Sequence, residues 1–243
     1  MKTFAADLHI HTALSPCSEK QMTPPAIVAA ALAQGLDLIA ICDHNSVANA
    51  GAAIEAGEGM LAVLPGMEIA TAEQIHVLGL FPTLDGAQRA AEEVHATLVR
   101  CLLGHRFEEQ PVMNALGDVV AAESSALGDP SGFELAAAVA LIRENGGLAI
   151  AAHVDRRSYS VMSQLGALPD TVRFDALEIS AAGVERAQDA PFRDLGLPLI
   201  ASSDSHFLST VGECRTLFQM YAPTFDELAL ALRGAGGRSC RIA

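Results

Sequence analysis

Two histidines stand two residues apart near the N-terminus, in the segment DLHIHTALSPCSE (residues 7–19). The apolar residues around them predict a β-strand, on which residues i and i+2 face the same side, roughly 7 Å apart. His9 and His11 are therefore expected on one face, together with Asp7. Such side chains can hydrogen-bond to one another, pair with carboxylates or bind a metal ion, and Cys17 follows six residues after His11.

Imidazoles and carboxylates recur at the edges of other predicted strands. They are Asp43 and His44 after LDLIAIC (36–42), Glu68 in LAVLPGMEIA (61–70), His76 at the start of HVLGLF (76–81), His153 after LAIAA, and Asp204 and His206 in LPLIASSDSH (197–206). Each one alone has an ordinary explanation, as a hydrogen-bonded polar group, a cap or a surface residue. Because the C-terminal ends of parallel strands meet at one face of a barrel, we expect one shared site.

A metal centre is the chemistry that this set favours. Six of the eight histidines lie at predicted strand edges, and gathering them with Glu68 and Asp204 would be costly without a cation. Imidazole and carboxylate with little thiol suit Zn²⁺, Mn²⁺ or Fe. The donors outnumber what one ion can bind, so we expect two or three divalent ions bridged by a carboxylate, an arrangement suited to hydrolysis.

The elements that position these residues alternate along the chain. Helices are predicted at residues 23–35, 46–59, 87–103 and 131–147 and from TFDE (224–227) onward, with Ser131 and Glu134 as a candidate capping box. Short apolar strands between helices predict an α/β fold with a parallel sheet, and about seven of them favour a closed barrel. Residues 1–243 are interpreted as one domain, with residues 82–130 as a helical insertion near the mouth, where His105 and Arg106 are candidates for a lid.

The composition and charge of the chain predict which classes of partner it binds. A net charge of −14, from 15 basic and 29 acidic residues, predicts no binding of long duplex nucleic acid, because an acidic chain gains nothing from counterion release. No apolar run approaches the roughly 18–20 residues of a membrane span, and the N-terminus lacks an apolar signal core, so we expect no membrane contact and a cytoplasmic location. Five scattered cysteines without a C-x-x-C pair argue against a disulfide framework and a structural zinc knuckle.

Taken in order, DLHIHT, ICDHNS, PGMEI, IHVLGL, AAHVDR and SSDSH resemble the motifs of the PHP (polymerase and histidinol phosphatase) family, across residues 4–210. The resemblance implies a distorted (β/α)₇ TIM-like barrel with a trinuclear metal site for phosphoester hydrolysis. The implied ligands are His9, His11 and Asp204 for the first metal, Glu68 as a bridge to a second metal held by His76 and His153, and His44 and His206 for the third. Cys17 stands where the family often has His or Asp at the third metal, and an idle loop thiol is the alternative for it.

The predicted activity is hydrolysis of a small phosphorylated substrate by a metal-activated water. Asp43 or Asp204 is expected to orient or deprotonate that water, and Glu68 to bridge two ions. Arg156 and Arg157, in the loop after His153, are candidates to bind the substrate phosphate, with solvated surface side chains as the alternative.

Other functions stay open at this point. Histidinol-phosphate phosphatase, or an exonuclease on short oligonucleotides or nucleoside bisphosphates, would use the same fold and metals, because specificity lies in the loops. An amidohydrolase is disfavoured, since Lys2 and Lys20 are the only lysines and neither is a candidate bridge. A non-catalytic, metal-stabilised PHP module is the alternative from another class, and the oligomeric state is not predicted.

Overall fold

The computed structural model describes residues 1–99 and 110–243, which form eleven strands and eight α-helices. The strands are β1 (Lys2–Ile10), β2 (Leu38–Ile41), β3 (Ala62–Ala70), β4 (His76–Leu80), β5 (Pro111–Met113), β6 (Val119–Ala122), β7 (Leu148–Ala151), β8 (Ala176–Ile179), β9 (Leu199–Ala201), β10 (Thr216–Met220) and β11 (Ser239–Ile242). The helices are α1 (Pro24–Ala33), α2 (Ala50–Ala56), α3 (Leu84–His95), α4 (Leu135–Glu144), α5 (Val161–Leu165), α6 (Ala181–Glu185), α7 (Ala190–Arg193) and α8 (Phe225–Leu232).

Nine strands form one sheet in the order β11-β10-β1-β2-β3-β4-β7-β8-β9, and its seven members from β1 to β9 build the barrel. At the seam, the chain after β9 pairs with the end of β1, where the amide N–H of His11 donates to the carbonyl of Ser205 at 3.0 Å. The Thr216 hydroxyl in β10 links to both backbone groups of Ala201 at the end of β9, at 2.8 Å each. The sheet is therefore nearly closed, and the predicted α/β barrel is confirmed.

The sheet is mixed rather than parallel, which corrects the sequence-based prediction. β4 runs antiparallel to both of its neighbours, β3 and β7, and His76 at its start pairs with Ala70 at the end of β3. A short turn joins β3 to β4, which only an antiparallel pair allows. The start of β4 consequently lies at the same end of the barrel as the C-terminal ends of β1, β2, β3, β7 and β8.

An irregularity in β1 decides which of its side chains face the site. The pairing of β1 with β2 shifts register between Asp7 and Ile10. Ala6 and Leu8 pack in the cluster that fills the barrel, whereas Ile10 packs in the cluster beneath the outer helices. The shift therefore turns His9 and His11 inward and leaves Asp7 outside, where it accepts hydrogen bonds from Ser203 and Gly212. The prediction that Asp7 shares the histidine face is wrong, because a bulge reverses the alternation.

Two hydrophobic layers support the barrel. The inner one joins alternate strand residues such as Leu38, Leu78 and Ile150 to α8, which lies against β10 and β11. The outer one packs the opposite strand faces against α1 to α4, with Ile27 and Ile142 completely buried. Because the inner layer holds one end of the barrel together, polar groups can be concentrated at the other end.

Residues 82–130 differ from the predicted helical insertion. In the described part, α3 is followed by the hairpin of β5 and β6, and His105 and Arg106 lie outside the described residues. The predicted capping box of α4 is wrong, because the Ser131 hydroxyl donates to the carbonyl of Ala70 and Glu134 itself is the N-cap residue. Within residues 1–99 and 110–243, no helix has the length and apolarity needed to cross a membrane.

Candidate metal centre

The structure brings the predicted donors together at one end of the barrel. They come from the end of β1 (His9, His11), the loop after it (Cys17), the residue pair after β2 (His44), β3 (Glu68), the start of β4 (His76), the loop after β7 (His153) and the loop after β9 (Asp204, His206). Three groups of donor atoms lie within 4.8 Å of one another: His9, His11 and Asp204; His44, Glu68 and His76; and His11, His44 and His206.

Glu68 lies at the centre of this cluster. Its Oε1 is 2.8 Å from Nδ1 of His76, 3.2 Å from Nε2 of His153 and 3.5 Å from Nε2 of His9. Its Oε2 is 2.8 Å from Nδ1 of His44 and 3.4 Å from Nε2 of His11. One buried carboxylate therefore faces five imidazoles, and its two oxygens divide them into two sets.

His9 and His11 face each other through nitrogens that are both free to bind a cation. Nδ1 of His9 donates to Oε2 of Glu178 at 3.1 Å, and Nδ1 of His11 donates to the Ser15 hydroxyl at 2.9 Å. In the neutral form of each ring Nε2 then carries the lone pair, and the two Nε2 atoms are only 3.0 Å apart. Two lone pairs repel at this distance unless a cation or a proton lies between them, and ligands of one Zn²⁺ ion at about 2.1 Å are spaced at similar distances. The residues fit a divalent metal.

Asp204 completes this group from the last barrel loop. Its Oδ1 lies 3.1 Å from Nε2 of His11 and 3.3 Å from Nε2 of His9. Asp204 and His153 both have left-handed backbone conformations, with φ of 51° and 30°. Residues other than glycine adopt this region at a cost, so the fold accepts local strain to aim these two side chains.

Cys17 lies beside the third group, as the sequence predicts. Its Sγ is 3.3 Å from Nε2 of His44, and it also hydrogen-bonds to His206. Nδ1 of His206 donates to the carbonyl of Asp204 at 2.8 Å, which leaves Nε2 for the cluster. His44 presents one nitrogen to Glu68 and the other to Cys17, so it borders two groups of donors at once.

The electrostatics follow from burying opposite charges together. Burial alone would raise the pKa of Glu68, but His76, His9 and His44 hold it well below its usual range. Burial likewise opposes the ionisation of the Cys17 thiol, yet hydrogen bonds from His206 and His44 lower its pKa to about 6. The carboxylate and the thiol therefore favour their anionic forms, the forms that bind cations.

Asp43 lies behind the cluster rather than in it. It is completely buried, and its Oδ1 accepts from the Thr12 amide at 2.7 Å and from the Ser15 hydroxyl at 2.7 Å, while Oδ2 accepts from the Thr12 hydroxyl at 2.8 Å. Since Ser15 in turn accepts from His11, Asp43 orients a histidine through one hydroxyl. The geometry thus gives Asp43 a positioning role and does not support the predicted removal of a proton from water.

The two candidate arginines differ in their contacts with the site. Nη2 of Arg156 lies 2.6 Å from Oδ2 of Asp204, and the Arg156 side chain is 42% exposed, so its guanidinium borders both the cluster and solvent. Arg157 is exposed, and its side chain makes no hydrogen bond or ion pair with the described residues. Arg156 is therefore at the mouth of the site, whereas nothing ties Arg157 to it.

Sequence reasoning missed the residues that hold the histidines in place. Glu178, in the middle of β8, accepts from Nδ1 of His9 and from the amide of His153, and it is 1% exposed. Its signal is a single carboxylate in the otherwise apolar strand ALEI (176–179). Tyr159 stacks on the ring of His76 with centroids 4.8 Å apart, and no pattern in the sequence marks it.

Comparison with known proteins gives partial sequence matches. A family model described as PHP-associated matches residues 191–235. A 5′-3′ exoribonuclease of Haemophilus influenzae is 31% identical over 121 residues, which are 45% of this chain and 42% of that protein.

Solved structures share this fold over most of the chain. The lesion-specific endonuclease Q of Pyrococcus furiosus aligns with 98% of this chain and 58% of its own, at 19% identity and a TM-score of 0.75. A candidate metal-dependent phosphoesterase of Bifidobacterium adolescentis aligns over 83% of this chain and 87% of its own, at 22% identity and a TM-score of 0.54. The chain spans less than two thirds of the exoribonuclease and of the endonuclease.

One prediction from composition is overturned by these comparisons. Endonuclease Q, which shares this fold with a TM-score of 0.73, is known in complex with a 27-mer duplex substrate that has an abasic lesion at the active site. Excluding long duplex nucleic acid on the basis of the net charge of −14 is therefore wrong. Net charge describes the whole surface, whereas a substrate meets the local field at the mouth, to which Arg156 contributes.

The ordered motifs, the PHP-associated match near the C-terminus and the shared fold agree with one another. Together they support a PHP-domain family for this chain.

Proposed function

We propose that this chain is a metal-dependent phosphoesterase. The main support for the proposal is that Nε2 of His9 and Nε2 of His11 face each other at 3.0 Å. The carboxylates of Glu68 and Asp204 lie beside them. This donor set suits two or three divalent ions such as Zn²⁺, Mn²⁺ or Fe. The exoribonuclease, endonuclease and phosphoesterase names of similar proteins support the same class of reaction.

The proposed ligands fall into three groups. His9, His11 and Asp204 would hold the first ion, and His76 and His153 the second, with Glu68 as the carboxylate shared by these two ions. His44, His206 and Cys17 would hold the third. When bound, such ions polarise a phosphoryl oxygen and supply a hydroxide nucleophile near neutral pH. All nine residues carry donor groups, which disfavours a non-catalytic module with degraded ligands.

The chain itself would bind the substrate and orient the groups around it. Arg156 is suited to donate to a phosphate oxygen, because its guanidinium already pairs with a carboxylate of the cluster and the side chain stays 42% exposed. Glu178 and Ser15 fix the rings of His9 and His11, so that the lone pairs stay aimed at the centre. Asp204 and Glu68 have pKa values held well below their usual range, for Asp204 against burial and chiefly by His9, which suits orienting a water better than taking its proton.

The substrate can be a small phosphomonoester or a phosphodiester of nucleic acid. The exoribonuclease and endonuclease relatives favour the second candidate, and histidinol phosphate remains a test compound. The deciding experiment is turnover by the purified chain with Mn²⁺ or Zn²⁺ on phosphomonoesters, nucleotides and single- and double-stranded oligonucleotides. Metal-dependent release of phosphate or nucleotide is expected, with a His9→Ala variant as the inactive control. Absence of hydrolysis across this set in fully metal-loaded protein would overturn the proposal.

A further inference from the structure

Tyr159 has an unusual position at the mouth of the metal centre. Its ring stacks on His76, with centroids 4.8 Å apart and planes inclined by 23°, yet the side chain is 46% exposed. One face of the ring is therefore covered by a candidate ligand, while close to half of the residue's surface is open to solvent. An aromatic ring exposed beside a polar cluster offers an apolar face and a polar hydroxyl to a ligand that enters the site.

The backbone holds this ring in place at a cost. Tyr159 has a φ of 58°, in the left-handed region that a bulky residue rarely adopts. Its carbonyl accepts from the amide of His76 at 2.9 Å, and Ser160 begins α5 as part of a capping box. Strained conformations of this kind persist where the surrounding structure enforces them, often at sites that bind ligands.

The same loop carries the arginine of the site. Arg156 precedes Tyr159 by three residues, and the Ser160 hydroxyl donates to the carbonyl of Arg156 at 2.8 Å, which ties the two ends of the turn together. The loop thus presents a cation next to Asp204 and an aromatic face next to His76. A ligand that satisfies both groups has an anionic part and a flat, aromatic part, as a nucleotide does.

We propose that Tyr159 is a stacking platform for a nucleobase, and that the phosphoesterase therefore takes nucleotides or the ends of nucleic-acid strands. The inference rests on the proposed function, in which the metal centre and Arg156 bind the phosphate. It adds that Tyr159 binds the base. An aromatic ring stacks on any base through its π-face, so this contact selects nucleotides as a class rather than one sequence. Tyr159 acts on affinity and not on the chemical step.

The aromatic composition of the chain allows contact between Tyr159 and a ligand to be measured by fluorescence. It contains two tyrosines and no tryptophan, so a Tyr221→Phe variant has Tyr159 as its only strong fluorophore. Tyr221 follows β10, near the start of the antiparallel strand β1 and hence at the end of the barrel opposite the site, and its ring contacts Arg238. The matched control is Tyr159→Phe, in which Tyr221 alone emits and absorption by the ligand is the same.

Zn²⁺-loaded Tyr221→Phe protein is titrated with adenosine 5′-monophosphate and with ribose 5-phosphate, which lacks the base. We expect a saturable loss of Tyr159 emission with the nucleotide only, and no such loss in the Tyr159→Phe control. Equal changes in the two proteins, or equal changes with the two ligands, would overturn the proposal.

Affinity is measured in parallel by calorimetry on Tyr159→Leu and Tyr159→Phe. Loss of base stacking predicts about 5- to 150-fold weaker nucleotide binding in Tyr159→Leu, with ribose 5-phosphate binding unchanged and Tyr159→Phe close to the parent. If Tyr159→Leu instead loses metal and weakens both ligands equally, the ring only shields His76 and the proposal fails.

These outcomes separate the two proposals. Nucleotide-dependent quenching in a protein that hydrolyses no phosphoester would keep the stacking role and reject the phosphoesterase. Hydrolysis by a Tyr159→Leu variant that binds nucleotide as tightly as the parent would do the reverse.

Discussion

Nδ1 of His9 donates to Oε2 of Glu178 at 3.1 Å, although the two residues are 169 positions apart in the chain. The same carboxylate oxygen accepts a hydrogen bond from the backbone amide of His153. Glu178 therefore positions the ring of one candidate ligand and the backbone of another, and the two are proposed to bind different ions. A carboxylate behind a metal-binding histidine fixes the ring orientation and raises the basicity of the coordinating nitrogen.

Replacing Glu178 should therefore weaken metal binding without removing a ligand. In Glu178→Gln we expect metal affinity or turnover to fall by about 10- to 100-fold, the usual loss for such partners of ligands. The measurement is competition for Zn²⁺ with a chromophoric chelator, alongside kinetics. Glu185→Gln, an exposed change on α6, is the matched control. Unchanged affinity and turnover in Glu178→Gln would mean that His9 needs no such support.

Glu68 allows a stronger prediction, because its two oxygens lie within 3.5 Å of five imidazoles. Glu68→Gln keeps the size of the side chain but removes the charge that two ions would share. We expect fewer bound ions per chain by elemental analysis, loss of hydrolysis and a circular dichroism spectrum like that of the parent. Glu58→Gln, at an exposed turn before β3, controls for the loss of one acid. Full metal content with normal turnover would contradict a bridging role.

The succession of strands along the chain, and the meeting of the polar residues at their ends, could be predicted because both depend on local signals. Apolar runs mark strands, and polar residues directly after them, such as His44 and His153, meet at one end of a barrel whatever the pairing details. The sequence places His76 at the start of a strand, and the antiparallel direction of β4 explains why it still joins the other donors.

Features that depend on tertiary pairing could not be predicted in this way. The bulge that turns Asp7 away from His9 exists only in the pairing of β1 with β2. The contact of Glu178 with His9, and the stacking of Tyr159 on His76, join segments far apart in the chain. The exclusion of long duplex nucleic acid from the net charge is wrong for a related reason, since net charge carries no information on where the charges lie.

Arg156 and Arg157 form a natural pair for testing substrate binding. Arg156 lies 2.6 Å from Asp204, whereas the exposed Arg157 side chain contacts none of the described charged groups. Arg156→Ala should raise KM by about 10- to 100-fold, as expected when charge-assisted hydrogen bonds of about 1.5–3 kcal/mol are lost. Arg157→Ala should match the parent. Metal content is measured in both variants, because a lower content in Arg156→Ala would assign the effect to Asp204 and contradict a direct contact with substrate.

Cys17 tests whether the third group of donors holds an ion. Its Sγ lies 3.3 Å from Nε2 of His44, and hydrogen bonds from His206 and His44 lower its pKa to about 6, so the thiolate form is accessible near neutral pH. A thiolate binds Zn²⁺ well and suits Mg²⁺ poorly. Cys17→Ala should therefore lose up to one ion per chain, and activity should fall less than in His9→Ala, because the two groups that share Glu68 remain. Elemental analysis and kinetics at saturating metal measure both effects, with Cys240→Ala, at the opposite end of the barrel in β11, as the control. If Cys17→Ala keeps every ion and all activity, the thiol has no part in the metal centre.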